Sequence, residues 1–166
     1  MKKIILLSLI TIYGCTTKSK DSEEHLEIIN IVNETQKIIS VKKGQQIDTA
    51  RFRTLFLPTA HFTVVGEENG KQLHETMNLK AFLETLSDEY YSNGYYETGK
   101  GHIIEQYNGI AQVIQSFYGE DSEGEKGWGV NSYQLVKTGK HWRIANMVWS
   151  MSPKGEEGIP SRLLEN

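Results

Sequence analysis

The sequence predicts an α+β domain, and three features carry that prediction. Apolar residues in the first half recur at helical spacing. From Tyr95 onward the period changes to two, and Asn-Gly pairs stand where hairpins would turn. The resulting order is helix, helix, strand, strand, helix, then four strands. Strands joined only by hairpins imply an antiparallel sheet for the last four. Three amphipathic helices need one sheet face to bury against.

Asp21-Ser22-Glu23-Glu24 supplies a cap and first-turn carboxylates for a first helix, Glu23 to Val41. Leu26, Ile28, Ile29, Ile31, Val32, Ile38 and Ile39 form its apolar stripe, and Lys42-Lys43-Gly44 stops it. Asp48 caps a short second helix with Phe52, Leu55 and Phe56 as its stripe and Pro58 as its stop. Ala60 to Val65 reads as a strand, Asn69-Gly70 as a turn and Lys71 to Glu75 as the return. Asn78 caps a third helix through Leu79, Phe82, Leu83, Leu86 and Tyr90, ended by Gly94.

Tyr95 to Tyr107 is a long strand in which Gly99 and Gly101 mark a bulge or bend. After the Asn108-Gly109 turn comes a strand from Ile110 to Tyr118, then an acidic loop from Gly119 to Gly127. Trp128 to Lys137 and Trp142 to Trp149 form a closing hairpin, and Ser150 to Asn166 an irregular tail. Strict alternation in the last strand puts Trp142, Ile144, Asn146 and Val148 on one face and Met147 and Trp149 on the other. One of these apolar faces packs on the helices and the other would stay bare, so a homodimer through the outer sheet face is expected, with the tail after Ser150 as the alternative cover.

Met1-Lys2-Lys3, the apolar run Ile4 to Ile12 and small Gly14 before Cys15 have the three-part layout of a secretory signal. The apolar run is far shorter than a membrane-spanning helix requires. Ile12-Tyr13-Gly14-Cys15 resembles the bacterial lipobox, with Tyr13 bulkier than such sites usually carry. The expectation is a signal peptide over 1–14, a lipidated flexible tether over 15–22, a folded domain over 23–152 and a tail over 153–166. Acylated Cys15 would anchor the protein in the bilayer of a bacterial envelope, periplasmic or surface-facing.

Composition excludes several classes. With 166 residues, 38% apolar and 23% charged, the chain suits one globular domain. Its net charge of −3, more acidic once Lys2 and Lys3 are removed, gives no electrostatic reason to bind nucleic acid. A single cysteine forbids an intrachain disulfide. The histidines, at 25, 61, 74, 102 and 141, are not at metal-ligand spacing, so neither metal nor cofactor is expected. No nucleophile elbow or phosphate loop appears.

The stretches Asp48 to Phe56 with Pro58 to Phe62, Gly109 to Val113, Gly129 to Leu135, Trp142-Arg143-Ile144 and Val148-Trp149 stand in an order that resembles the nuclear transport factor 2-like, or SnoaL-like, superfamily. Ile159 to Arg162 resembles tails of a bacterial subgroup with no established activity. The resemblance covers roughly residues 25–162. It implies a cone-shaped fold, three helices packed on a curved, mostly antiparallel sheet around a conical pocket. The superfamily includes isomerases, dehydratases, hydroxylases and plain binding modules, so function does not follow from fold.

Candidate pocket residues are His61, Glu105, Tyr107, Asn131, Tyr133 and Asn146. Glu105 and Tyr107 pair a carboxyl with a phenol on one strand face, a combination suited to acid–base work when partly buried. Asn131 and Asn146 have apolar neighbours and need partners if buried. No residue is assigned a catalytic role. A ketosteroid-type isomerase would need a carboxylate ending the first strand and a phenol on the first helix; Val64-Val65-Gly66 and a tyrosine-free helix supply neither. The expected function is a membrane-tethered, non-catalytic binding domain for a small molecule or a protein. The alternative is an isomerase, dehydratase or hydrolase acting in the cone.

Overall fold

Helix α1 (Lys20–Ile39) lies along the sheet and buries Ile28, Val32, Thr35, Gln36 and Ile39. It begins three residues before the expected Glu23. The computed structural model describes residues 20–164, with side chains from residue 23. The signal segment and Cys15 lie outside the described residues. Helix α2 (Thr49–Arg53) starts at Asp48, whose carboxylate accepts the Arg51 N–H at 2.9 Å.

Phe56 opens strand β1 (Phe56–Glu68) instead of closing α2. Pro58 falls in the stretch between Phe56 and His61 where the register against the neighbouring strand shifts, so no regular ladder bond depends on its missing N–H. Strand β2 (Lys71–Asn78) returns through Asn69-Gly70, both at positive φ. The expected third helix is two, α3 (Leu79–Thr85) and α4 (Glu89–Ser92). Asp88 explains the break, because its side chain accepts the Tyr90 N–H and caps a new helix.

Strands β3 (Tyr95–Tyr107), β4 (Ile110–Asp121), β5 (Lys126–Thr138) and β6 (His141–Met151) complete a sheet of order β2-β1-β6-β5-β4-β3. Among the described strands only β1 and β6 pair in parallel. The acidic loop is shorter than expected, since Gly119 pairs Gly127 and Glu120 pairs Lys126. Two further register shifts, beyond the one at Pro58, control the faces of β3 and β6. One lies between Gly99 and His102 in β3, as the glycines predicted. The other falls at Ala145 in β6 and overturns strict alternation there. Trp142, Ile144, Met147 and Trp149 consequently share the inner, helix-facing side, whereas Asn146 and Val148 face outward. The large apolar groups expected on both faces of this strand therefore gather on one, and Val148 alone of them faces outward.

Aromatic side chains fill much of the interior. Phe62 stacks on Phe82 with centroids 4.0 Å apart, and Phe52, Phe56 and Trp149 continue the cluster. The tail is ordered where an irregular one was expected. Its 3₁₀ turns, Gly155–Gly158 and Ser161–Leu163, bury Ile159 and Leu163. The Ser116 hydroxyl on the outer face donates to the Leu163 carbonyl and accepts the Gly101 N–H, tying the tail to the β3 bulge.

Candidate functional site

Polar side chains gather on the inner face where α1 crosses β3, β4 and β5. Alternation along β3 brings Tyr95, Glu97 and Gly99 to this face. The Tyr95 hydroxyl donates to Glu97 Oε2 at 2.7 Å, and Asn131 Nδ2 donates to Glu97 Oε1 at 3.3 Å. Thr35 gives its proton to the Val32 carbonyl at 2.7 Å, which leaves the buried Tyr133 phenol to donate to Thr35 at 3.4 Å. Gln115 Nε2 donates to Asn33 Oδ1 at 2.9 Å.

The chain's local structure holds these groups. Helix α1 ends at Ile39, and Val41 then exchanges both backbone hydrogen bonds with Tyr95. The Ser40 hydroxyl accepts the Glu97 N–H at 2.9 Å and lies 3.0 Å from the Glu97 carbonyl. This part of the sheet edge is thus covered, and Glu97 is fixed at its backbone. Gly99 leaves room for two amides: a Cβ there would collide with the Gln115 and Gln36 side chains. Both are buried; Gln115 Oε1 has no hydrogen-bond partner, and Gln36 Nε2 makes no well-formed hydrogen bond although its amide stands beside the Glu97 carboxyl. Beside them a cleft of about 660 Å³ is lined by Asn33, Gln36, Ser40, Tyr95, Glu97 and neighbouring residues.

Burial dominates the electrostatics. It raises the proton affinity of the Glu97 carboxyl, and the interactions with Tyr95, Asn131 and Gln36 only partly offset it. Burial and then the Glu97 charge push the Tyr91 phenol to about 12 and raise Tyr95 and Tyr133 as well. A carboxyl that keeps its proton above the ordinary range can donate a hydrogen bond where an ionised one only accepts.

Of the candidate pocket residues, Asn131 and Tyr133 stand in this cluster. His61, Glu105 and Asn146 do not: they face outward. With Gln134 and Gln112 they form one cross-strand row, His61, Asn146, Gln134, Gln112, Glu105. Asn146 Nδ2 donates to Gln134 Oε1 at 2.9 Å in that row. Tyr107 is exposed at the β3–β4 turn. Sequence reasoning missed Glu97. The Gly99–Gly101 bulge was the available signal, since a phase shift there separates Glu97 from Glu105. Among the described residues no group of three or more His, Cys, Asp or Glu is arranged to hold a metal ion. None of their helices is long and apolar enough to cross a membrane.

No protein-family model and no curated protein matches the chain. Solved structures do. An NTF2-like protein with a cystatin-like fold from Novosphingobium aromaticivorans superposes with a TM-score of 0.64 at 12% identity, over 87% of this chain and 91% of that one. The chain has the nuclear transport factor 2-like fold. Two other NTF2-like neighbours have names that state an activity. A putative scytalone dehydratase from N. aromaticivorans matches with a TM-score of 0.58 at 12% identity, over 79% of this chain and 85% of that one. Hexachlorocyclohexane dehydrochlorinase LinA-type3 from Novosphingobium barchaimii gives 0.60 at 11%, over 79% and 88%. Identities this low establish the NTF2-like fold alone.

Proposed function

We propose that the protein is an envelope-tethered binding domain, anchored through acylated Cys15, that takes a small polar molecule in the cleft between α1 and β3. The observation that carries the binding reading is the pairing of that cleft with the buried Glu97 cluster, in which two amide atoms lack well-formed hydrogen bonds. Buried polar groups call for partners, and a polar guest supplies them. The carboxamides, the Ser40 hydroxyl and the Glu97 carboxyl offer donors and acceptors to a molecule rich in hydroxyl or amide groups, and Lys37 and Lys42 at the cleft add positive charge that also suits a small carboxylate.

Calorimetric titration with a panel of neutral sugars, small amides and short carboxylic acids tests the binding reading. Binding retained in Glu97→Gln supports it, since the amide mimics a protonated carboxyl. A panel without a single binder, for the wild-type chain, counts against it. For the anchor, Cys15→Ala should block processing; a soluble mature protein with an intact Cys15 thiol would end that part.

A second reading has one observation in its favour. The raised proton affinity of Glu97 beside three tyrosines suits a general acid, and two neighbours of this fold are named as a dehydratase and a dehydrochlorinase. Turnover of a small-molecule substrate that Glu97→Gln abolishes would establish this reading in place of the first.

A further inference from the structure

The two ends of the sheet differ in chemistry. At one end, the turn after β1 and the loop after β4 hold Glu67, Glu68, Glu120, Asp121, Glu123 and Glu125. At the other lie the first turns of α1 and the turns after β3 and β5. There Lys137 Nζ binds Glu24 Oε1 at 2.7 Å and lies 5.7 Å from the centroid of the Trp142 ring. A cleft of about 480 Å³ opens between these residues and Gln106, Tyr107 and Asn108. Trp142 lines it at 1% exposure with no partner for its indole N–H, and Gln106 Oε1 also lacks one. On the rim, the cross-strand pair Tyr107 and Ile110 stands out, 78% and 59% exposed.

We propose that this end of the domain is a bilayer-facing surface that rests on lipid head groups. The proposal depends on the acylation of Cys15 inferred above. Five residue steps separate Cys15 from Lys20, the first residue of α1, and they reach about 18 Å when fully extended. The α1 end and its cleft are therefore held close to the membrane, and the acidic end is held away from it. Tyr107 and Ile110 are the kind of side chains that settle at an interface, one amphipathic and one apolar. Exposed Lys140 offers a donor to head-group phosphate, and within the cleft the Trp142 N–H and Gln106 Oε1, both without partners, offer a donor and an acceptor to a head group that enters it.

The test uses the full chain, processed in cells and reconstituted in vesicles of phosphatidylethanolamine and phosphatidylglycerol. Tyr107→Cys and Ile110→Cys, with Glu123→Cys at the far end as control, accept an environment-sensitive fluorophore; Cys15 is blocked by its lipid. Quencher groups on the acyl chains should cause on the order of a twofold loss of emission at 107 and 110 and little at 123. Equal quenching at all three positions in a chain that still floats with the vesicles overturns the surface and leaves the anchor intact. Shielding from water at 107 and 110 without lipid quenching overturns it in favour of a second protein copy. A chain that does not float sinks the anchor, and the surface with it.

Discussion

A carboxyl buried beside phenols and an amide alters how the protein responds to acid. Unfolded, Glu97 releases its proton in the ordinary carboxylate range; folded, it keeps that proton to higher pH. Between those two limits the native state holds more protons, so this residue's contribution to stability is full at low pH and declines as pH rises. Glu97→Gln removes the decline. Denaturant midpoints should show the variant gaining on the wild type at about pH 8, with the gap closing toward about pH 4. A variant less stable at both would refute this. Phe62 offers a second case, fully buried between Phe56 and Phe82. Phe62→Ala should cost about 3–5 kcal/mol in urea unfolding. At this scale the sequence exposed Asn131 and Tyr133, polar groups among apolar neighbours, and hid Glu97. A glutamate in a strand normally reads as solvated, and only the bulge after it reveals which face it takes.

Bulges and caps decide which residues meet within each element. Gly101 is pressed against the tail: a Cβ there would collide with the Leu163 backbone carbonyl. Gly101→Ala should displace the last turn at a cost of about 1–3 kcal/mol. Hydrogen exchange should then speed up over residues 159–164 while the β4–β5 ladder stays protected; unchanged exchange in the tail would show that the contact is dispensable. The β3 bulge was legible because two glycines announce it. The β6 bulge was not, because Ala145 carries no such signal, and a single extra residue moved Asn146 and Val148 outward. The break between α3 and α4 was also concealed, since the apolar spacing runs on to Tyr90 while Asp88 quietly starts a new cap. The tail read as irregular because its Ile159 and Leu163 follow no period, yet both are buried.

For the whole molecule, element order and fold were legible, but the partner of β1 was not. Hairpin signals name only sequential neighbours, and the β1–β6 pair joins strands at opposite ends of the domain. The outer face still exposes Val148 at 40%, in a row with the partly buried Ile114 and Ile103. We expect a second copy to cover that row, so the domain should sediment as a dimer at tens of micromolar and Val148→Lys should shift it to monomer; a wild-type monomer there would refute this. The parallel pair has another consequence, in time rather than space. Strand β1 is made early and β6 late, so the first hairpin waits with one edge unpaired while β3, β4 and β5 assemble beyond it. Pairing across so long a loop is slow. The strand that fills the middle of the sheet is the last of its six to leave the ribosome, and the sheet cannot close before then.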